Sequence, residues 1–268
     1  QPGPEVAARA ADRQRTITVE TPLYRIALNN RGAIVESVRL EDYKDKYGNS
    51  YEIVGEIAKK TLNVFPLGLE LENPAMTELV TAALFDSEAP GQIVIAADDE
   101  KEVAFSWSDG RGLEVEKKLF FSGSSYAVEA SISVRQRGEE VQKVVLSGAG
   151  IGDEVVESTY VGADKGFVVS RGEAALFSAE DIREGEGGAI SIKATGVASH
   201  YFAVLLVPTG EGSYGTRFTV NAVPMADDSG RKERDVITAG LEAPRDRAEF
   251  KIYLGPKKLE HLEALDQT

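Results

Sequence analysis

The sequence predicts an all-β protein, an antiparallel sandwich of two sheets followed by one C-terminal α-helix. Three observations predict it. Apolar residues recur with a period of two, as in Val103, Phe105 and Trp107 and again in Leu113 and Val115. The apolar runs are short and end roughly every 10 to 15 residues at turn-forming clusters such as Asn29-Asn30-Arg31-Gly32, Asp109-Gly110 and Ser122-Gly123. No shift in composition divides the chain after residue 16, so its 268 residues are read as one large domain and not two.

The elements follow in order. Residues 1–15 are expected to be a flexible tether, because Pro2, Gly3 and Pro4 prevent regular structure and the Ala/Arg stretch behind them has no apolar stripe. The sandwich is expected over 16–254. Its first half carries Ile17 and Val19, then Leu23, Ile26 and Leu28, then 93–95, an acidic turn at Asp98-Asp99-Glu100, and the hairpin at Asp109-Gly110, where glycine supplies a positive φ. Strands at 127–134 and 141–146 follow. The second half continues with strands at 155–161, 167–170, 190–194, 197–207, 214–220, 236–239 and 248–254, separated by loops at 183–188 and 227–235. A helix over 255–268 closes the chain. Pro256 suits a helix start, where a missing N–H costs nothing, and Leu259, Leu262 and Leu265 recur every three residues to pack against the sandwich. A second, short helix is expected within 74–84.

Composition narrows the function. Lys and Arg total 30 against 44 Asp and Glu, a formal net charge of -14, and such a surface repels polyphosphate, so nucleic acid is not an expected partner. The absence of cysteine removes disulfides, thiolate metal sites and Cys nucleophiles together. The longest clean apolar run, 201–207, is far below the roughly 20 residues that span a bilayer. The chain begins with Gln1 and is read as a segment of a longer one.

The candidate chemistry is thin. Gly148-Ala149-Gly150-Ile151-Gly152 is similar to the start of a dinucleotide fingerprint, but Asp153 stands where the third glycine belongs, so a turn between strands is expected. Ser199 and His200 are adjacent, and in a strand they would point to opposite faces and could not share a proton. His200 is therefore read as the start of a core strand, and His261 as a packing or solvated residue of the last helix. No phosphate loop, zinc helix or nucleophile elbow occurs, and no catalytic residue, cofactor or metal is expected.

Three stretches together resemble the periplasmic domain of the bacterial membrane protein insertase YidC. They are TITVETPLYRIALNNRGAIVESVRLEDY (16–43), EKKLFFSGSSYAVEASISV (116–134) and IYLGPKKLEHLEAL (252–265), joined by ASHYFAVLLVP (198–208). Thr195-Gly196 stands where the family often has an aromatic residue. The resemblance implies a β-supersandwich similar to galactose mutarotase, without catalysis, on the periplasmic side of the inner membrane. It implies a first transmembrane helix before the tether and a second beyond residue 268. It further implies, for the full-length protein, contact with Sec translocon auxiliaries and nascent membrane proteins. The isolated chain is expected to be a monomer. Arg9, Arg13 and Arg15 at one end and Lys257 and Lys258 at the other would then lie near anionic headgroups. Two other classes share the architecture. A carbohydrate-binding or mutarotase-like enzyme would need His200 in an open cleft opposite a carboxylate, and a free-standing periplasmic chaperone would need an exposed apolar groove.

Overall fold

The computed structural model describes residues 7–152, 164–227, 230–245, 247–263 and 265; the strand expected at 155–161 lies outside them. The fold class is the one expected, an all-β supersandwich with a short C-terminal helix. Its strands form three hydrogen-bonded sheets where two were expected. The first holds β1 (Thr16–Glu20), β2 (Tyr24–Asn29), β3 (Ile34–Lys44), β4 (Ser50–Glu52) and β6 (Gln92–Val94), in the order β4-β3-β2-β1-β6. The second holds β5 (Pro66–Leu71), β11 (Lys143–Ala149), β14 (Ala189–Ile190), β17 (Gly215–Asp227) and β18 (Gly230–Ala243), in the order β14-β17-β18-β11-β5.

Both face one large sheet. That sheet is built from β7 (Glu100–Ser108), β8 (Leu113–Ser122), β9 (Ala127–Gln136), β12 (Lys165–Ser170), β13 (Glu173–Phe177), β15 (Ile192–Ala198), β16 (Phe202–Pro208) and β19 (Ala248–Pro256). The order is β13-β12-β15-β16-β19-β9-β8-β7, with the short β10 (Glu139–Glu140) beside β9. Two layers result, one large sheet against two small ones. Among the described residues only β1 and β6 pair in parallel.

Period-two alternation places the core. In β8, Leu113, Val115, Lys117, Leu119 and Phe121 are all buried, and Glu114, Glu116 and Lys118 alternate with them. The β7–β8 hairpin closes as its residues require. Gly110 takes φ +70°, and the Asp109 Oδ1 accepts from the N–H of Arg111 at 2.6 Å and of Leu113 at 3.0 Å.

Three expectations meet a different arrangement, and one helix has no counterpart among them. The tether is bound to the domain from Arg9 onward. Arg9 exchanges backbone hydrogen bonds with Ser108 at 3.0 and 2.9 Å, and the Ala11 N–H donates to Leu84 O at 2.9 Å. Asn30, wholly buried, donates to Arg13 O at 3.1 Å and accepts from the Arg15 N–H at 2.7 Å. Edge pairing and one buried amide thus replace the missing apolar stripe.

The last helix is α3 (Leu259–Glu263), preceded by α1 (Pro74–Ala82) and α2 (Ala179–Arg183). Gly255-Pro256 ends β19 instead of opening α3. A Cβ on Gly255 would come within 2.8 Å of the Tyr126 ring, and Pro256 pairs with Phe202 at the strand's end, where proline's missing donor is tolerated. The predicted loop 227–235 is largely strand, because β17 and β18 stay paired as far as Asp227 and Gly230. Asp235, in β18, accepts from both terminal guanidinium nitrogens of Arg183. α2 went unpredicted. Its signal is the reciprocal cap in which Ser178 and Asp181 hydrogen-bond each other's side chains and backbone.

The Tyr24 hydroxyl is buried without a hydrogen-bond partner among the described residues, and burial pushes its pKa well above the ordinary value. An unpaired buried hydroxyl costs about 1–3 kcal/mol. Tyr24→Phe is therefore expected to leave stability unchanged or raise it by about 1 kcal/mol in urea unfolding, against the usual direction for a core substitution.

Candidate functional site

The most unusual side chain in the molecule is Lys117. Its position in β8 points it inward between Phe105 of β7 and Ile132 of β9, its two register partners, and it is 0% exposed. Its ammonium donates to three backbone carbonyls: Leu67 O at 2.7 Å, Gly32 O at 2.8 Å and Ala33 O at 3.1 Å. Each of its three protons is therefore used. The Phe85 ring lies 5.7 Å away on the side of its face. Burial draws its pKa down from the usual lysine value to about 7. Lys143 is the contrasting case, equally buried but paired with Glu140 at 3.4 Å.

Two left-handed turns supply the carbonyls around Lys117. Gly32 and Ala33 have φ of 71° and 47°, and Leu67 has φ 66°. Only the first is a glycine, so the other two conformations need outside support. These turns also wall a cavity of about 520 Å³ between β3, β5 and α1. Asn29, Arg31, Glu36, Asn63 and Glu78 supply its polar lining, and Phe65, Leu69, Val80 and Leu146 its apolar lining.

The residues singled out in the sequence fall in two other places. Leu259, Leu262, Leu265 and Lys257 line an apolar groove of about 370 Å³ on the outer face of the large sheet, beside Phe167, Leu205 and Val207. Leu262 and Leu265 pack against the core, whereas Leu259 is 71% exposed. Lys258 reaches the Tyr43 ring at 5.4 Å, and its contact with the Tyr43 hydroxyl raises its pKa.

The two basic groups do not form one surface. Arg9 is bound at Ser108, the last residue of β7, whereas Lys257 follows the end of β19, which points to the same end of the sheet as the start of β7, with β9 and β8 between them. Nine residues of strand put those ends about 25–30 Å apart. Arg13 is exposed, and Arg15 is turned inward, donating to Ala89 O at 3.0 Å and to Ser87 O.

Neither histidine sits in a catalytic setting. His200 is exposed on the turn between β15 and β16, edge-on to Tyr201 at 4.4 Å, and does not begin a core strand. Ser199 spends its hydroxyl on the same turn, accepting from the Phe202 N–H at 3.1 Å. His261 packs edge-on to Tyr126 at 5.0 Å. Gly148 sits at a bulge of β11 with φ 99°, and the Gly150 N–H donates to Ile237 O at 2.9 Å, so the glycine cluster is bulged strand end and turn. Among the described residues no three of His, Asp and Glu are grouped to hold a metal.

A supersandwich is the class that the fold defines, and its likeness to solved structures is of the same kind. A galactose mutarotase-like protein from Lactobacillus casei superposes with a TM-score of 0.50 at 10% identity, covering 90% of this chain and 99% of that one. At this identity the likeness shows the fold alone. A model of the YidC periplasmic domain family matches residues 16–268, and the chain belongs to that family, which is not an enzyme family. Similar relatives include the membrane protein insertase YidC of Syntrophus aciditrophicus, 20% identical over 97% of this chain and 48% of that protein. The insertase of Pelobacter propionicus is 23% identical over 95% and 46%. The chain thus spans about half the length of these relatives. No helix among the described residues is long and apolar enough to cross a membrane.

Two outcomes are expected. Leu262→Asp should lower stability by about 1–3 kcal/mol and speed hydrogen exchange in α3, whereas Leu259→Asp should change either by little, because only Leu262 is packed. For Lys117 the sign follows from linkage. Its pKa falls from 10.5 in the unfolded chain to about 7 in the fold, so between these values the unfolded state binds more protons. The penalty of burying the charge is complete below about pH 7 and fades as pH rises to 10.5. Urea unfolding should therefore show the wild type gaining stability relative to Lys117→Met by at most about 1.4 kcal/mol per pH unit in that window.

Proposed function

We propose that this chain is a non-catalytic periplasmic domain of a YidC-type membrane protein insertase. In the full-length protein it assists the insertion and folding of inner-membrane proteins, with or without the Sec translocon. The observation that carries the reading is the family match over residues 16–268, together with relatives named membrane protein insertase that align along nearly all of the chain. The exposed position of His200 argues against aldose chemistry on the same fold.

In this reading the surface does the work. Sec auxiliaries and nascent membrane proteins are the partners, and the domain acts as a monomer. The end carrying Lys257, Lys258 and the exposed Leu259 faces the bilayer. The far end of β7, with Arg9, faces away from it. Lys257 is exposed at this end, its N–H donating to Tyr201 O at 2.7 Å and its ammonium to Ser199 O at 3.0 Å.

Photo-crosslinking groups placed over the domain's surface in the full-length protein test the reading in cells. Adducts with Sec auxiliaries and with nascent membrane proteins are expected. Failure to find either across the surface overturns the proposal, as does turnover of an aldose by the purified chain that disappears in His200→Ala.

A further inference from the structure

Lys117 is more than a buried charge, because the two turns whose carbonyls it holds contribute neighbouring residues to the cavity wall. Gly32 lines the cavity directly. Leu67 lies between Phe65 and Gly68, which also line it. The side chain starts on the large sheet, reaches the β2–β3 turn of one small sheet and meets the first residues of β5 in the other. One ammonium group therefore ties the three sheets at the point where the cavity is walled.

The chemistry of that tie depends on three protons. An ammonium has three N–H bonds, and all three are used here. A neutral amine has two, and its lone pair would face the third carbonyl oxygen, turning an attraction into a repulsion. The backbone at Ala33 and Leu67 is left-handed without being glycine, a conformation that persists only while its surroundings hold it.

We infer that Lys117 is a proton-operated latch on the cavity: protonated it holds both turns closed, and deprotonated it releases one of them so that the wall loosens. No neighbouring charge sets the latch. Its flanking residues on the paired strands are Phe105 and Ile132, and Phe85 covers it from the side. The β2–β3 turn brings Arg31, and the other charged groups at the cavity are Glu36 and Glu78. Burial draws the pKa of the amine down to about 7.

Hydrogen exchange on the purified chain at about pH 6 and about pH 8.5, corrected for intrinsic exchange, reads the latch. Amides at 32–34 and 67–69 should lose protection by at least about fivefold at the higher pH, relative to the remote hairpin at 109–113. In Lys117→Met the same amides should show no pH response. Equal protection at both pH values in the unaltered protein overturns the inference, as does a response that survives in Lys117→Met. Should that variant fail to fold, the 15N resonance of the Lys117 amine decides. A midpoint near 7 supports the latch, and one near the ordinary lysine value refutes it.

Discussion

A charged amine buried in the core of a sandwich is tolerated only if its protons are all met, and at Lys117 the groups that meet them come from the junction of all three sheets. The carbonyls that meet it come from backbone that has turned away from its own ladder, at Gly32, Ala33 and Leu67. Two of these residues adopt left-handed conformations that cost energy without glycine. The lysine and the turns therefore support each other. Without the turns the charge would be unsolvated, and without the lysine the carbonyls would be buried without donors. Lys143 shows the commoner solution, a carboxylate partner at the rim of the core.

The same economy governs the sheet edges. β5 is the last strand of its sheet, and an open edge invites pairing with another chain. Here it is occupied from within. The Thr77 hydroxyl meets the Leu71 N–H at 2.9 Å and its carbonyl at 3.3 Å, while Lys117 takes Leu67 O. On the large sheet, the N-terminal segment pairs with the end of β7 through Arg9. Asn30 secures that segment with bonds to the backbone of Arg13, Arg15 and Phe85. Some apolar surface remains exposed on the outer face beside α3, with Leu176 and Leu259 among the residues left in solvent.

Fold and function separate in this family. The supersandwich is shared with mutarotase-like proteins at 10% identity, yet the histidine that such chemistry would call on lies on an outer turn. What the chain shares with that architecture is a two-layer body, here with a cavity at one junction of its sheets. Its identity rests on the family match, not on a catalytic constellation.

Much of the fold was legible in the residues because strand period and turn chemistry are local. Val103, Phe105 and Trp107, Asp109-Gly110 and the β8 alternation each declare themselves within a few positions. So did the motifs at 16–43, 116–134 and 252–265 that point to the family. The candidate site was not legible, although its one signal stood in plain view: a lysine at an inward position between Val115 and Leu119. Whether such a residue turns out to solvent or stays and finds carbonyls depends on turns 50 and 85 residues away in the chain. The split of the basic residues, the binding of the N-terminal segment and the strand end at Gly255-Pro256 were decided in the same way. Each depends on which distant backbone or ring lies alongside, and only the folded arrangement of the sheets brings those partners together.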